Sequence, residues 1–143
     1  MRELPRQLSV DELAELFEGR TRFVERLATL KDPLGRARDV ARALSDEEQK
    51  EVLDAHPAIG ARPEGLSARS AAEQGTDEAP ELEDLNRRYE EKFGFRFVVW
   101  VNRRPKSELV PILLDRLERT RAEELETALD ELVSIAIDRW QRS

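Results

Sequence analysis

Cysteine is absent from the 143 residues, and histidine, methionine and tyrosine each occur once. Without cysteine there can be no disulfide, no thiolate metal site and no thiol nucleophile. A single histidine rules out a histidine-rich zinc centre, and nothing resembles the spaced acidic ligands of a calcium loop. A carboxylate-only site for a hard cation is the one metal option left. Positive charge is also in deficit, with 24 Lys and Arg against 31 Asp and Glu for a net charge of −7. That balance argues against chain-wide affinity for nucleic acid or an anionic membrane, both of which need a basic footprint. An anionic small molecule can bind only where arginine or lysine reverses the field locally. Long apolar runs are missing too, so no segment reads as a membrane span. The opening Met1-Arg2-Glu3-Leu4-Pro5 has no apolar leader stretch, and the closing Gln141-Arg142-Ser143 carries no address signal. A cytoplasmic protein is the expectation.

What is present is helical spacing. Ser9-x-x-Glu12, Ser45-x-x-Glu48 and Thr120-x-x-Glu123 each have the form of a capping box, in which hydroxyl and carboxylate satisfy each other's backbone N–H. The first opens a short helix with Leu13, Leu16 and Phe17 on one face, which Gly19 should end. A second helix should carry Phe23, Val24 and Leu27 and stop near Asp32-Pro33. Pro33 suits the first turn of a third, through Ala37, Val40 and Leu44. The fourth carries Val52 and Leu53 toward His56. A loop then runs from Pro57 to about Leu66, followed by a short helix from about Ser67 to Gly75. Further helices are predicted over about 81–93, 106–119 and 122–141, the last with a wide apolar stripe from Leu125 to Trp140. The chain therefore reads as one all-α domain over 1–143, a bundle of about seven to eight helices. One stretch does not fit: in Phe95–Val101 the odd positions are all aromatic or valine, a strand-like alternation with no second strand to pair with. This buried extended segment must satisfy its backbone through side chains, a second subunit or a ligand, or else run out to solvent as a connector.

Candidate chemistry gathers at four places. His56 is the one side chain that titrates near neutrality unaided. Pro57 pushes it out of helical geometry, so it should sit at a helix C-terminus, where the macrodipole favours the protonated ring and a proton donor. An ordinary helix terminator satisfies the same pattern. Ser70-x-x-Glu73-Gln74 is either another capping box or a polar surface for a ligand. The extended segment is followed by Asn102, Arg103 and Arg104. Arg139, at the edge of the last apolar stripe, is either paired with a carboxylate or placed to hold an anion.

The order and spacing of several motifs resemble the 2-oxo-4-hydroxy-4-carboxy-5-ureidoimidazoline (OHCU) decarboxylase family, whose members complete the conversion of urate to (S)-allantoin. The motifs are Leu16-Phe17-Glu18-Gly19, His56-Pro57, Ser70-x-x-Glu73-Gln74, Asn86-x-x-Tyr89, Lys92-Phe93-Gly94-Phe95-x-Phe97-Val98-Val99 and Ile135-Ala136-x-x-Arg139. The resemblance implies an all-helical, often dimeric enzyme that works without a cofactor on a small anionic ureido-imidazoline. It implies that His56 is the catalytic histidine, with Pro57 beside it at the substrate. Ser70, Glu73 and Gln74 would hold ureido and ring amide groups, with Glu73 accepting N–H hydrogen bonds. Val99 and Val101 would offer backbone groups, Asn102 and Arg103 would lie next along the substrate side, and Arg139 would hold an anionic oxygen. The chemistry fits these residue types: loss of CO2 leaves electron density that an adjacent carbonyl accepts as an enolate, and a general acid delivers a proton to one face. Three departures leave the exact substrate open. Arg20-Thr21-Arg22-Phe23 stands where the family commonly has Ser-Pro-Trp, Asn102 stands where a basic residue is common, and the stretch from His56 to Glu73 is short. Besides this reading, the residues are compatible with a relative acting on another ureido or imidazoline acid, or with a non-catalytic helical interaction domain.

Overall fold

Three helix starts fall where a hydroxyl side chain meets a carboxylate three residues on, and a computed structural model that describes residues 2–59 and 79–142 shows these three pairs formed. Helix α1 (Val10–Phe17) opens with Ser9 and Glu12 capping each other at 3.0 and 3.1 Å, and α4 (Asp46–Asp54) opens with Ser45 and Glu48 in the same arrangement. Between them lie α2 (Arg22–Leu27), capped by Thr21, and α3 (Pro33–Ala43), with Pro33 in its first turn. From residue 81 onward come α5 (Glu81–Phe93), α6 (Lys106–Leu117) and α7 (Arg121–Arg142). Thr120 and Glu123 form the third capping box, at 3.0 and 3.2 Å. The architecture is thus a single all-α domain with seven helices among the described residues. The helix expected from Ser67 to Gly75 lies outside them.

Three local expectations are corrected. Helix α2 stops at Leu27 with Ala28 as its cap, well short of Asp32-Pro33. The left-handed residue that ends α1 is Glu18, at φ 67°, rather than Gly19. By contrast, Gly94 ends α5 at φ 81°, where any side chain would be strained. The extended segment also departs from alternation: Phe95, Phe97, Val98, Val99 and Val101 are all buried, and Trp100 half so. It is enclosed on both sides and pairs with no strand among the described residues.

The 22 residues of α7 span about 33 Å at 1.5 Å each. That length makes it the mast of the bundle: α1, α3 and α4 pack against it, while α5 lies along α6 and α2 bridges α1, α3 and α4. Leu132, Val133 and Ala136 of α7 are fully enclosed, and one continuous apolar core joins all seven helices. Tyr89, Phe93, Phe95 and Phe97 form an aromatic cluster with ring centroids 4.6–6.1 Å apart, which seats the extended segment on α5. No described helix is long and apolar enough to cross a membrane.

Candidate active site

The end of α4 is where the buried polar chemistry begins. Ala55 closes the helix, and the His56 N–H still donates to the Leu53 carbonyl at 3.2 Å before Pro57 turns the chain away. His56 is 4% exposed, and neither ring nitrogen has a hydrogen-bond partner among the described residues. An unpartnered imidazole in the interior costs free energy unless something else binds to it. Arg139, reaching in from α7, is 3% exposed. Its guanidinium pairs with the Glu18 carboxylate at 3.0 Å and donates to the Leu16 carbonyl at 3.1 Å. Glu18 can meet it because its left-handed backbone turns the chain back at the end of α1. The structure therefore brings the predicted His56 and Arg139 into one neighbourhood, with Glu18 as a third member.

The expectation of a protonated histidine is overturned. Burial, then the nearby Arg139 charge, push the His56 pKa down to about 4. The Glu18 carboxylate pulls upward, as does the Val52 carbonyl, which lies nearby without forming a regular hydrogen bond, and the Arg96 charge pulls down again. Desolvation and a cation outweigh the helix-end dipole. The resting imidazole is neutral at pH 7, and folding stability should respond. Above pH 6.5 the ring is neutral whether the chain is folded or not. Between 6.5 and about 4 only the unfolded chain takes up the proton, so acidification destabilises the fold, and below about 4 the loss levels off. Denaturant titrations should show wild type losing about 3 kcal/mol more than His56→Gln between pH 7 and pH 4. Parallel curves for the two proteins would rule out a buried neutral ring.

The extended segment meets this corner at Arg96, whose guanidinium donates to the His56 carbonyl at 2.7 Å. Farther along, arginine side chains take its carbonyls. Arg116 donates to Val98 at 2.9 Å, and Arg104 donates to Val101 at 3.0 Å and also to Trp100. Side chains thus serve three of the segment's carbonyls. Val99 and Val101 are buried in the segment, Pro57 is half-buried, and Asn102 and Arg103 lie on an exposed turn with left-handed φ of 48° and 64°. Ser70, Glu73 and Gln74 lie outside the described residues. Among those described, no three His, Asp or Glu side chains converge as a metal site would require.

The whole of this arrangement lies within a match to one family model, that of OHCU decarboxylase, over residues 2–141. The chain belongs to the OHCU decarboxylase family. It is 33% identical over 143 residues to a 2-oxo-4-hydroxy-4-carboxy-5-ureidoimidazoline decarboxylase of Haloferax volcanii, covering 89% of this chain and 83% of that one. It is 30% identical over 151 residues to the uric acid degradation bifunctional protein PucL of Bacillus subtilis, covering 95% of this chain but only 30% of that longer protein. A solved structure of OHCU decarboxylase in the presence of (S)-allantoin superposes with a TM-score of 0.72 at 26% identity, covering 90% of this chain and 94% of that one.

Seen as a family member, the chain explains its own departure at 20–23. Phe23 is fully buried and packs edge-on against Phe17 at 5.1 Å, so it fills core. Thr21 caps α2, and Arg22 binds Glu51 of α4 through both its backbone N–H, at 2.8 Å, and its guanidinium, at 3.2 Å. Three residues near the site had no role assigned from sequence. Glu18 and Asn86 sat inside quoted motifs, which was a signal of position without a function. Asn86 proves to donate to the Ile59 carbonyl at 2.7 Å, pinning the chain just after His56-Pro57. Arg96 had no signal at all.

Proposed function

We propose that this chain is a cofactor-independent decarboxylase that converts 2-oxo-4-hydroxy-4-carboxy-5-ureidoimidazoline to (S)-allantoin. The observation that carries the reading is the chain's one imidazole, buried and unpartnered among the described residues, beside a buried guanidinium. A neutral ring suits the proton balance of the reaction. The substrate's hydroxyl becomes a carbonyl and so loses a proton, and CO2 departs leaving its electron pair to the ring. A neighbouring carbon and a ring nitrogen each gain a proton, so the carboxylate substrate takes up one net proton, which solvent supplies. His56, neutral at rest, can accept the first proton and, as general acid, deliver one to a single face. Arg139 holds an anionic oxygen, and the arriving anion offsets the charge that depresses the imidazole. Glu73, Ser70 and Gln74 hold the ureido and ring amides, while Pro57, Val99, Val101, Asn102 and Arg103 line the remainder. The domain spans 1–143 and works as a cytoplasmic homodimer.

The test is a circular-dichroism time course. Urate is oxidised by uricase, the product is hydrolysed, and the protein is then added. Rapid growth of the (S)-allantoin signal is expected, and Arg139→Ala should slow it with helicity retained. Racemic product at the spontaneous rate would overturn the reading and leave a related decarboxylase for another ureido or imidazoline acid, or a non-catalytic helical domain, as the alternatives.

A further inference from the structure

Arg96 occupies the position that the motif Phe95-x-Phe97 leaves unspecified, yet it ties three elements together. Its backbone N–H donates to the Asp54 carboxylate at 2.9 Å. Its guanidinium donates to the His56 carbonyl at 2.7 Å and to the Asp54 carbonyl at 3.4 Å. Its Nε stands 3.5 Å from the Glu90 carboxylate of α5, an ion pair rather than a hydrogen bond. Carbonyls at a helix C-terminus have no partners within the helix. Here the partner is Nη1 of the guanidinium, which donates to both ends of the tripeptide Asp54-Ala55-His56 while Nε of the same plane faces Glu90.

We propose that Arg96 is a positioning residue for His56, holding the His56 peptide at the end of α4 so that the imidazole stays in its buried pose beside Arg139. The inference rests on the decarboxylase reading for its kinetic consequence, not for its geometry. A bond to the backbone of His56 constrains the dihedral angles from which the ring projects. A lysine can keep the charge, but its single nitrogen cannot face the two carbonyls and the Glu90 carboxylate from two positions as the guanidinium does. Among the described residues, the charged groups facing the ring are Arg139 from α7, Glu18 from the end of α1 and Arg96 from the extended segment. Removing the Arg96 charge therefore leaves Glu18 less opposed, and the ring should bind its proton at higher pH.

Because the chain has one histidine, its Cε1–H proton resonance reports on that ring alone. Two variants, Arg96→Met and Arg96→Lys, are compared with wild type by this resonance, by melting temperature and by steady-state kinetics. Arg96→Met should lower kcat about 10- to 100-fold, the scale of a small misplacement of a catalytic group, with KM changed less than about twofold. Its histidine resonance should shift and titrate at higher pH. Arg96→Lys should titrate close to wild type and recover part of kcat. Wild-type kcat and an unmoved resonance in both variants would overturn the proposal. So would equal loss in both, tracking only a fall in melting temperature with the resonance unmoved. If wild type itself fails to accelerate the reaction, the functional reading fails, and the resonance and its titration still decide whether Arg96 holds His56.

Discussion

His56→Ala should lower kcat by about 10²- to 10⁴-fold, the range that a positioned proton-transfer group contributes, while the helical spectrum stays that of wild type. The expectation of a clean loss follows from the burial pattern. Neither ring nitrogen supports the fold through a hydrogen bond to a described residue, so truncation strands no partner. The variant loses packing contacts of a 4%-exposed ring but also loses an unsatisfied polar group. Stability near pH 7 should therefore change far less than activity. The comparison is made by measuring kcat and the urea midpoint on the same preparation. Retained activity would mean that the proton comes from elsewhere and that the ring is an ordinary helix terminator. A large fall in the urea midpoint would mean that it is a core residue first.

The largest effect on stability is expected far from His56 in sequence, at Glu124. This carboxylate is fully buried and accepts from the Tyr89 hydroxyl at 2.6 Å, from Arg116 Nε at 2.7 Å and from Arg119 at 3.2 Å. Burial, then the bond to Glu124, raise the Tyr89 pKa well above the ordinary phenol range, so the hydroxyl stays a donor. Arg116 is 4% exposed and lies 4.6 Å from the Phe97 ring centroid. Glu124→Ala would leave that guanidinium buried without its counter-ion. Breaking a buried pair from one side costs about 3–5 kcal/mol. For a domain of this size that is a fall in Tm of roughly 10–15 °C. Tyr89→Phe removes one donor and leaves the ion pair, so it should cost only about 1 kcal/mol. The two variants melted side by side separate the pair from the phenol. Near-equal losses would show that the charge pair contributes little. Because Arg116 also holds the Val98 carbonyl, the damage in Glu124→Ala should reach the extended segment that carries Val99 and Val101.

The contrast between these two sites shows what could be read along the chain. Capping boxes at Ser9, Ser45 and Thr120 are visible because both partners sit within four residues, and each formed where it was expected. The seven helices follow from apolar spacing, since a stripe at helical period has one stable use in water, burial against another helix. His56 was conspicuous by being alone. Its neutral state was not legible, because the deciding terms are burial and a guanidinium 83 positions later in the chain. Local rules saw only the helix dipole and gave the opposite sign. Glu18 illustrates a smaller failure: glycine is the usual left-handed terminator, and only the pull of Arg139 across the bundle gives a reason for a glutamate to occupy that conformation.

Legible in the sequence were the class of fold, the capped helix starts at Ser9, Ser45 and Thr120, the exclusion of cysteine and histidine metal chemistry, and the candidate pair His56 and Arg139. Those are properties of local periodicity, composition and motif order. Tertiary structure alone decided that arginine side chains take the Val98, Trp100 and Val101 carbonyls of the unpaired segment, that Arg96 holds the His56 peptide, and that the imidazole rests neutral. Each of these depends on which distant groups are brought together in a buried site, and Coulomb interactions there act through space with little regard for chain order.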